Sequence, residues 1–410
     1  MDILQEGLNK TLKEVPTLIL QNLITKKLKK QGITATKDLS GKLAKYILLR
    51  SDKPFKYKSR KLSGKINLAF DQDDLNEIDR TFERFQKEQL PKLLPEAAHC
   101  ISKIVLKDLR ARWPKEEAQQ EADLAGFRER LAERWGQPLG QLHMLLTMCR
   151  EWCQWVHKRN VAQKSGSKDK ELQAILIRLL TRGCQVTDEI ICLLENGFAD
   201  GAMARWRTLH EIAVVAAVIR NYGSDIAVRY LDHQAVESKR KMDKYAMCCK
   251  ELGYKPLSAR AQKKIEKAYV AAIDRYGKTF KSDYGWAAFH LNNDRPTFAD
   301  LEKAAGRGKM RSHYQMGNDN IHAGIKSMYF RLGLLNCDGL LAGRSNAGLM
   351  EPGQNTVHTL TQLAAIVGLS EPIMDDLVAA DMMRMLRDAV PKSLYKADRK
   401  LRSDNKKYKE

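Results

Sequence analysis

The sequence has almost nothing that reads as a β-strand. Alternating apolar and polar runs are missing, while apolar residues recur at helical spacing along nearly the whole chain. No apolar run approaches the roughly 20 residues of a membrane-spanning helix. The first residues, MDILQEGLNKTLKEVP, carry Asp2 and Glu6 and no apolar h-region, so no secretory signal is expected there. The eight cysteines form no CxxC pair and sit mostly inside apolar helical patterns, which argues against a disulfide framework. GxSxG, HExxH, P-loop and zinc-finger spacings are absent as well. The expectation is an all-α, cytoplasmic protein with no membrane association, no cofactor and no metal.

What the chain does have is positive charge. Against 50 Asp and Glu stand 71 Lys and Arg, a formal net charge of +21. The excess is uneven. Lysines crowd residues 26–65 and the stretch after Pro391. Such an excess favours polyanions, RNA or DNA, and a solvated basic surface is the plain alternative. Within the block, Lys26, Lys27, Lys29 and Lys30 are the candidate phosphate contacts.

Punctuation divides the chain into four parts. Residues 1–65 read as a basic helical unit, with short helices over Val15–Lys30 and Leu39–Leu49 separated by Gly32. Residues 66–162 read as a helical connecting region. Asp71, Asp73 and Asp74 open its first helix, Pro91, Pro95, Pro114 and Pro138 interrupt it, and a helix over Gly140–Val161 closes it. QKSGSKDK (163–170) reads as a linker. Residues 171–390 read as a helical bundle domain, with Gly197, Gly223, Gly253 and Gly277 as helix stops and Asp200 as a cap. Thr297 to Asp300 reads as a capping box, Lys309–Leu332 as one long helix, and 355–367 and 371–389 as the last two helices. Residues 391–410 read as a basic tail.

Three constellations could carry chemistry. In ARWRTLHEIAVVAAVI, Arg207 and Glu211 are four apart and share a helix face. The following run is apolar on all sides, so this helix is expected at the centre of the bundle, where charges need partners. The second is the stripe Arg311, Gln315, Asn318, His322, flanked by Tyr314 and grading into apolar sequence. The third is the loop GRSNAG with Arg344 and a helix start behind it, a weak phosphate cradle. Each has a plain reading too: an ion pair, a solvated face, a connecting loop. Cys149, Cys153 and His157 stack at helical spacing, but among tryptophans they read as core rather than as metal ligands.

The segment from ARWRTLHEIAVVAAVI through VRYLDHQ and HYQMGNDNIHAG to GRSNAGL resembles a widespread bacterial family of helical proteins of unknown function. The resemblance covers roughly residues 171–360 and rests on Arg207 with Glu211, Arg229 with Tyr230, and Tyr314 with His322. That family in turn resembles the HEPN class, many of whose members are metal-independent endoribonucleases of toxin and phage-defence systems. Their hallmark is an Arg followed after four to six residues by a His. Here Arg311 precedes His322 by eleven positions, and Arg205 with His210 matches the spacing literally.

The resemblance implies an endoribonuclease or RNA-directed effector. His322 would be the base, Arg311 and Arg207 the stabilising cations and Glu211 an orienting group. Tyr314, Asn318, Arg229, Tyr230 and Arg344 would contact substrate, and a homodimer would complete the site. The alternative is a non-enzymatic module that binds nucleic acid or protein, with Arg207, Glu211 and His322 as a buried polar lock. Both readings expect those three residues to meet in space.

Overall fold

The computed structural model describes residues 3–49, 55–57, 66–162, 168–319, 321–322, 324–335, 339–370 and 372–407. Fifteen α-helices and no strand occur among the described residues. The chain divides into two compact units, Met1–Gln120 and Glu121–Glu410.

In the first unit, α1 (Ile3–Lys30) is longer than its apolar pattern suggests, and Gly32 ends it with φ +75°. The α2 helix (Lys37–Leu48) is capped by Thr36, whose hydroxyl accepts from the Leu39 N–H. Asp71 and Asp74 form a reciprocal capping box at the start of α3 (Gln72–Arg84). Leu20, Ile24, Leu28, Leu39 and Ala44 make the small core of this unit.

The prolines do not interrupt the next segment. A five-residue π turn, Phe85–Gln89, leads into α4, which runs unbroken from Leu90 to Ala162 through Pro91, Pro95, Pro114 and Pro138. Pro91 follows the π turn within continuous helical backbone, so it lacks one helix bond. The other three each remove one backbone bond from a helix long enough to keep the rest. The boundary between the two units falls at Gln120, inside the expected connecting region 66–162. From Leu131 onward, α4 carries Trp135, Leu142, Leu146, Cys149 and Trp152 into the core of the second unit. Most of the expected linker, residues 163–167, lies outside the described residues, as do residues 50–54, 58–65 and Cys337.

The second unit continues with α5 (Lys168–Glu195), α6 (Ala199–Tyr222), α7 (Ser224–Asp232), α8 (Gln234–Cys248) and α9 (Ala259–Tyr276). After a run of 3-10 turns come α10 (Ala288–Leu291), α11 (Phe298–Ala304), α12 (Arg311–Asp319), α13 (Ile325–Tyr329), α14 (Met350–Gly368) and α15 (Met374–Lys407). The apolar run of α6 is central as expected, packed on α5, α7, α11, α12 and α14. Trp206, Leu209, Ala213, Val214, Val218 and Ile219 are fully buried along it.

Several expected boundaries move. The expected helix from Ser224 to Leu252 is two helices, parted at His233, whose ring Nε2 meets the Ser282 carbonyl at 3.0 Å. Asp200 does not cap α6; its carboxylate accepts from the Arg331 side chain and from the Leu332 N–H. The expected helix Lys309–Leu332 is not continuous: α12 ends at Asp319, and Ile325–Tyr329 forms a separate short helix after Gly324. The residues after Pro391 are no tail: α15 runs on to Lys407 and buries Leu394, Ala397 and Leu401. Among the described residues, no helix is long and apolar enough to cross a membrane.

Candidate functional site

The site grows from one face of α6. Arg207 and Glu211 lie one turn apart on it, Nη2 to Oε1 at 3.2 Å. Between them, from α12, comes Tyr314. Its hydroxyl accepts from Arg207 Nη2 at 2.6 Å and donates to Glu211 Oε1 at 2.7 Å. The Arg207 guanidinium also stacks on the Tyr314 ring, 4.6 Å from its centroid, and Arg311 sits 5.6 Å from the same centroid. Gly317, one turn after Tyr314, packs against α6, where a Cβ would make only ordinary contact with the Met203 carbonyl at 3.6 Å.

A second layer lies beneath. His210, one turn along α6 from Arg207, places Nε2 2.9 Å from Glu302 Oε1, and both side chains are 1% exposed. Arg311 Nη1 holds the other Glu302 oxygen at 2.7 Å. Glu302 thus joins α6 to α12 from its own seat on α11, a helix started by the Thr297–Asp300 capping box. Phe298 of the same helix packs on both rings, 6.0 Å from His210 and 4.8 Å from Tyr314.

Electrostatics follow from this burial. Burial pushes the His210 pKa below the ordinary imidazole value, with the Glu302 hydrogen bond acting against it. A neutral ring that donates from Nε2 to the carboxylate satisfies both. Burial, then the bond to Glu211, pushes the Tyr314 phenol up. Nearby Arg307, desolvated and hydrogen-bonded to Gln362, is pushed down to about 10. Three nitrogens of this neighbourhood, Arg207 Nε, His210 Nδ1 and Arg307 Nε, are buried and have no partner. Chemically the cluster is a chain of donors and acceptors that leaves these nitrogens unpaired, with the flanks of Arg207, Glu211 and Arg311 reaching solvent.

The expected residues divide as follows. Arg207, Glu211, Tyr314 and Arg311 converge. Asn318 lies on the same helix as Tyr314, with its Oδ1 buried and unpartnered. His322 does not join them. It follows the end of α12, is exposed, and its ring forms no hydrogen bond or ion pair among the described residues. The expected meeting of Arg207, Glu211 and His322 is therefore corrected: α12 stops one turn short of it, and the buried histidine is His210. Arg205, its partner in the literal HEPN spacing, is taken by Glu189.

Arg229 and Tyr230 serve packing. Arg229 pairs with Asp225 at 2.9 Å and stacks on Tyr276 and Phe289, while Tyr230 meets Trp286 edge-on. Arg344 hydrogen-bonds to Asn196 and covers the Phe198 ring, so its loop braces the α5–α6 turn. In the first unit, Lys26 pairs with Glu77 at 2.6 Å and Lys27 with Asp74, while Lys29 and Lys30 are exposed with no partner among the described residues. Cys149 and Cys153 are buried and His157 is exposed. No cluster of three or more His, Cys, Asp or Glu with metal-binding geometry occurs among the described residues.

The sequence reading named His210 only for its spacing from Arg205 and did not name Glu302. They are 92 positions apart, and the only local signal was a histidine one turn from Arg207 at the head of an all-apolar run. Among known proteins, no curated protein and no solved structure matches the chain. Residues 173–339, which carry α5 to α13 and every member of the two-layer cluster, match a family of unknown function (DUF5677).

Proposed function

We propose that the chain is a non-enzymatic nucleic-acid-binding helical protein, with RNA the favoured partner, in which Arg207, Glu211, Tyr314, His210, Glu302 and Arg311 lock the second unit together. One observation carries this reading. The histidine inside the cluster is 1% exposed and held by Glu302. A general base must come within hydrogen-bond reach of the proton it takes, and His210 is closed to any substrate hydroxyl. Tyr314, its hydroxyl committed to Glu211, offers no base either.

Charge supports the nucleic-acid part. Residues 1–70 hold sixteen Lys and Arg against five Asp and Glu. Lys29 and Lys30 leave their ammonium groups in water, ready for phosphate. The test is fluorescence anisotropy of the full chain with a labelled RNA across a salt series. Affinity should fall steeply with salt, and Lys29→Glu with Lys30→Glu should weaken it at least about tenfold. The single-strand salt slope should drop by about 1.4, since each lost phosphate contact removes about 0.7. Absent binding, or binding indifferent to salt, overturns the reading.

A second reading has an observation of its own. His322 is exposed and unengaged, and Arg311, in the helix before it, has a side chain 39% exposed. In a HEPN-like, metal-independent endoribonuclease of a bacterial defence or toxin type, His322 would take the ribose hydroxyl proton and Arg311 would face the phosphate. Under that reading His322→Ala abolishes cleavage of total RNA and leaves the melting temperature unchanged. RNA left intact by the unaltered protein ends it.

A further inference from the structure

A groove of about 830 Å³ lies away from the cluster, between the last turns of α4 and the middle of α5. That volume is within the usual range for a small-molecule site. Its wall carries Arg150, His157, Arg178 and Arg182, and no Asp or Glu lines it. The floor is apolar: Ile177, Cys153 and Cys184 are buried there. Burial pushes both thiols up, Cys184 to about 12, so the floor is chemically inert at neutral pH.

The cations are not used up by the fold. Arg178 and His157 have no ion pair or hydrogen bond among the described residues and are exposed. Arg150 holds Asp188 at 2.8 Å and Arg182 holds Glu189 at 3.7 Å, both as exposed pairs that a stronger anion can displace. Arg178 and Arg182 stand one helical turn apart on α5, so their forked donors reach the same stretch of groove. Gln154 and Gln185 add amide donors and acceptors to the lining.

We propose that this groove is a nucleotide site. The phosphates lie on Arg178 and Arg182, the base rests on the apolar floor, and the glutamine amides meet its polar edge. A flat apolar ring joined to an oxyanion matches an inert floor beneath a wall of a single charge sign, and a bare inorganic anion would leave the floor unused. The same chemistry comes from a free nucleotide or from one unit of an RNA strand. The proposal does not depend on the lysines of the first unit.

The test uses the full chain and two probes, methylanthraniloyl-ATP and a short fluorescein-labelled oligoadenylate, at low salt. Arg178→Gln with Arg182→Gln should raise the Kd at least about tenfold while the melting temperature stays put, because both side chains are exposed. Loss confined to the ATP probe assigns the site to free nucleotide; loss on the oligonucleotide assigns it to RNA. The control removes two exposed lysines elsewhere, Lys263→Gln with Lys267→Gln. Three results overturn the proposal: neither probe binds at millimolar concentration, the arginine variant binds both as the unaltered protein does, or the control loses as much. RNA binding that survives the groove variant but fails in Lys29→Glu with Lys30→Glu, with ATP unbound, overturns the groove and leaves the RNA reading standing.

Discussion

The two units hold their carboxylates in opposite ways. In Met1–Gln120 the most buried one among the described residues is Asp74, 8% exposed at the head of α3, where it closes a capping box and pairs with Lys27. One partner is local, the Asp71 N–H, and the other, Lys27, comes from α1. In Glu121–Glu410, Glu302 is 1% exposed and spans from α11 to α6 and α12 at once. Its surroundings are a core that includes Trp206, Leu209, Phe298 and Leu301. A small core lends a carboxylate to a helix end; a large one encloses it and must supply every partner.

The largest effect expected from this contrast is at Glu302. Glu302→Ala strands a buried imidazole and half frees Arg311, and should destabilise the second unit by about 3 kcal/mol in a denaturant titration. A cost under about 1 kcal/mol would mean that water replaces the carboxylate and that the enclosure is loose. Tyr314→Phe comes next, at about 1–2 kcal/mol. It removes one hydroxyl with two partners, but Arg207 and Glu211 are close enough to keep each other. Asp74→Ala should cost the first unit less than either, since it opens one capping box and releases Lys27. If Asp74→Ala costs more than Glu302→Ala, the comparison is inverted.

Acid separates the units most gently. Burial lowers the pKa of His210, His233, His290 and His358, all in the second unit, while the first contains only His99. A histidine with a depressed folded value binds its proton more readily when unfolded. The stability it contributes is therefore complete above the unfolded value of about 6.5 and is lost as pH falls below it. Melting temperatures between pH 7.5 and 5.5 should decline for the fragment-wide helical signal, and His358→Gln should flatten part of that decline. An unchanged melting temperature across this range would show that the imidazoles bind their protons as readily folded as unfolded.

Local signals were the legible ones. Gly32, Gly223 and Gly277 end helices with positive φ, and the Thr297 capping box forms as its spacing predicts. The all-apolar run after Glu211 did mark the central helix, and the need of Arg207 and Glu211 for a partner from the Arg311 stripe was met by Tyr314. The rest depends on tertiary context. Prolines read as breaks, because their cost is local, whereas the gain that carries α4 past Pro138 comes from Trp135, Leu142 and Cys149 packing into a distant core. His322 was chosen by extending α12 past Asp319, where the helix ends. Glu302 was read only as part of a cap-started helix, since nothing near it in the chain announces a histidine 92 positions away.

The π turn at Phe85–Gln89 has a consequence for how this gene tolerates length changes. A π turn amounts to an α-helix with one residue inserted. The residues that follow, Pro91 to Gln120, are exposed on every side, so no packed face there depends on helical phase. Loss of a single codon between Phe85 and Gln89 would turn the wide loop back into ordinary helix and fuse α3 with α4. The same loss inside Leu139–Val156 would swing a row of buried side chains into water. Indels among natural homologues are expected to collect in the first stretch and to be missing from the second.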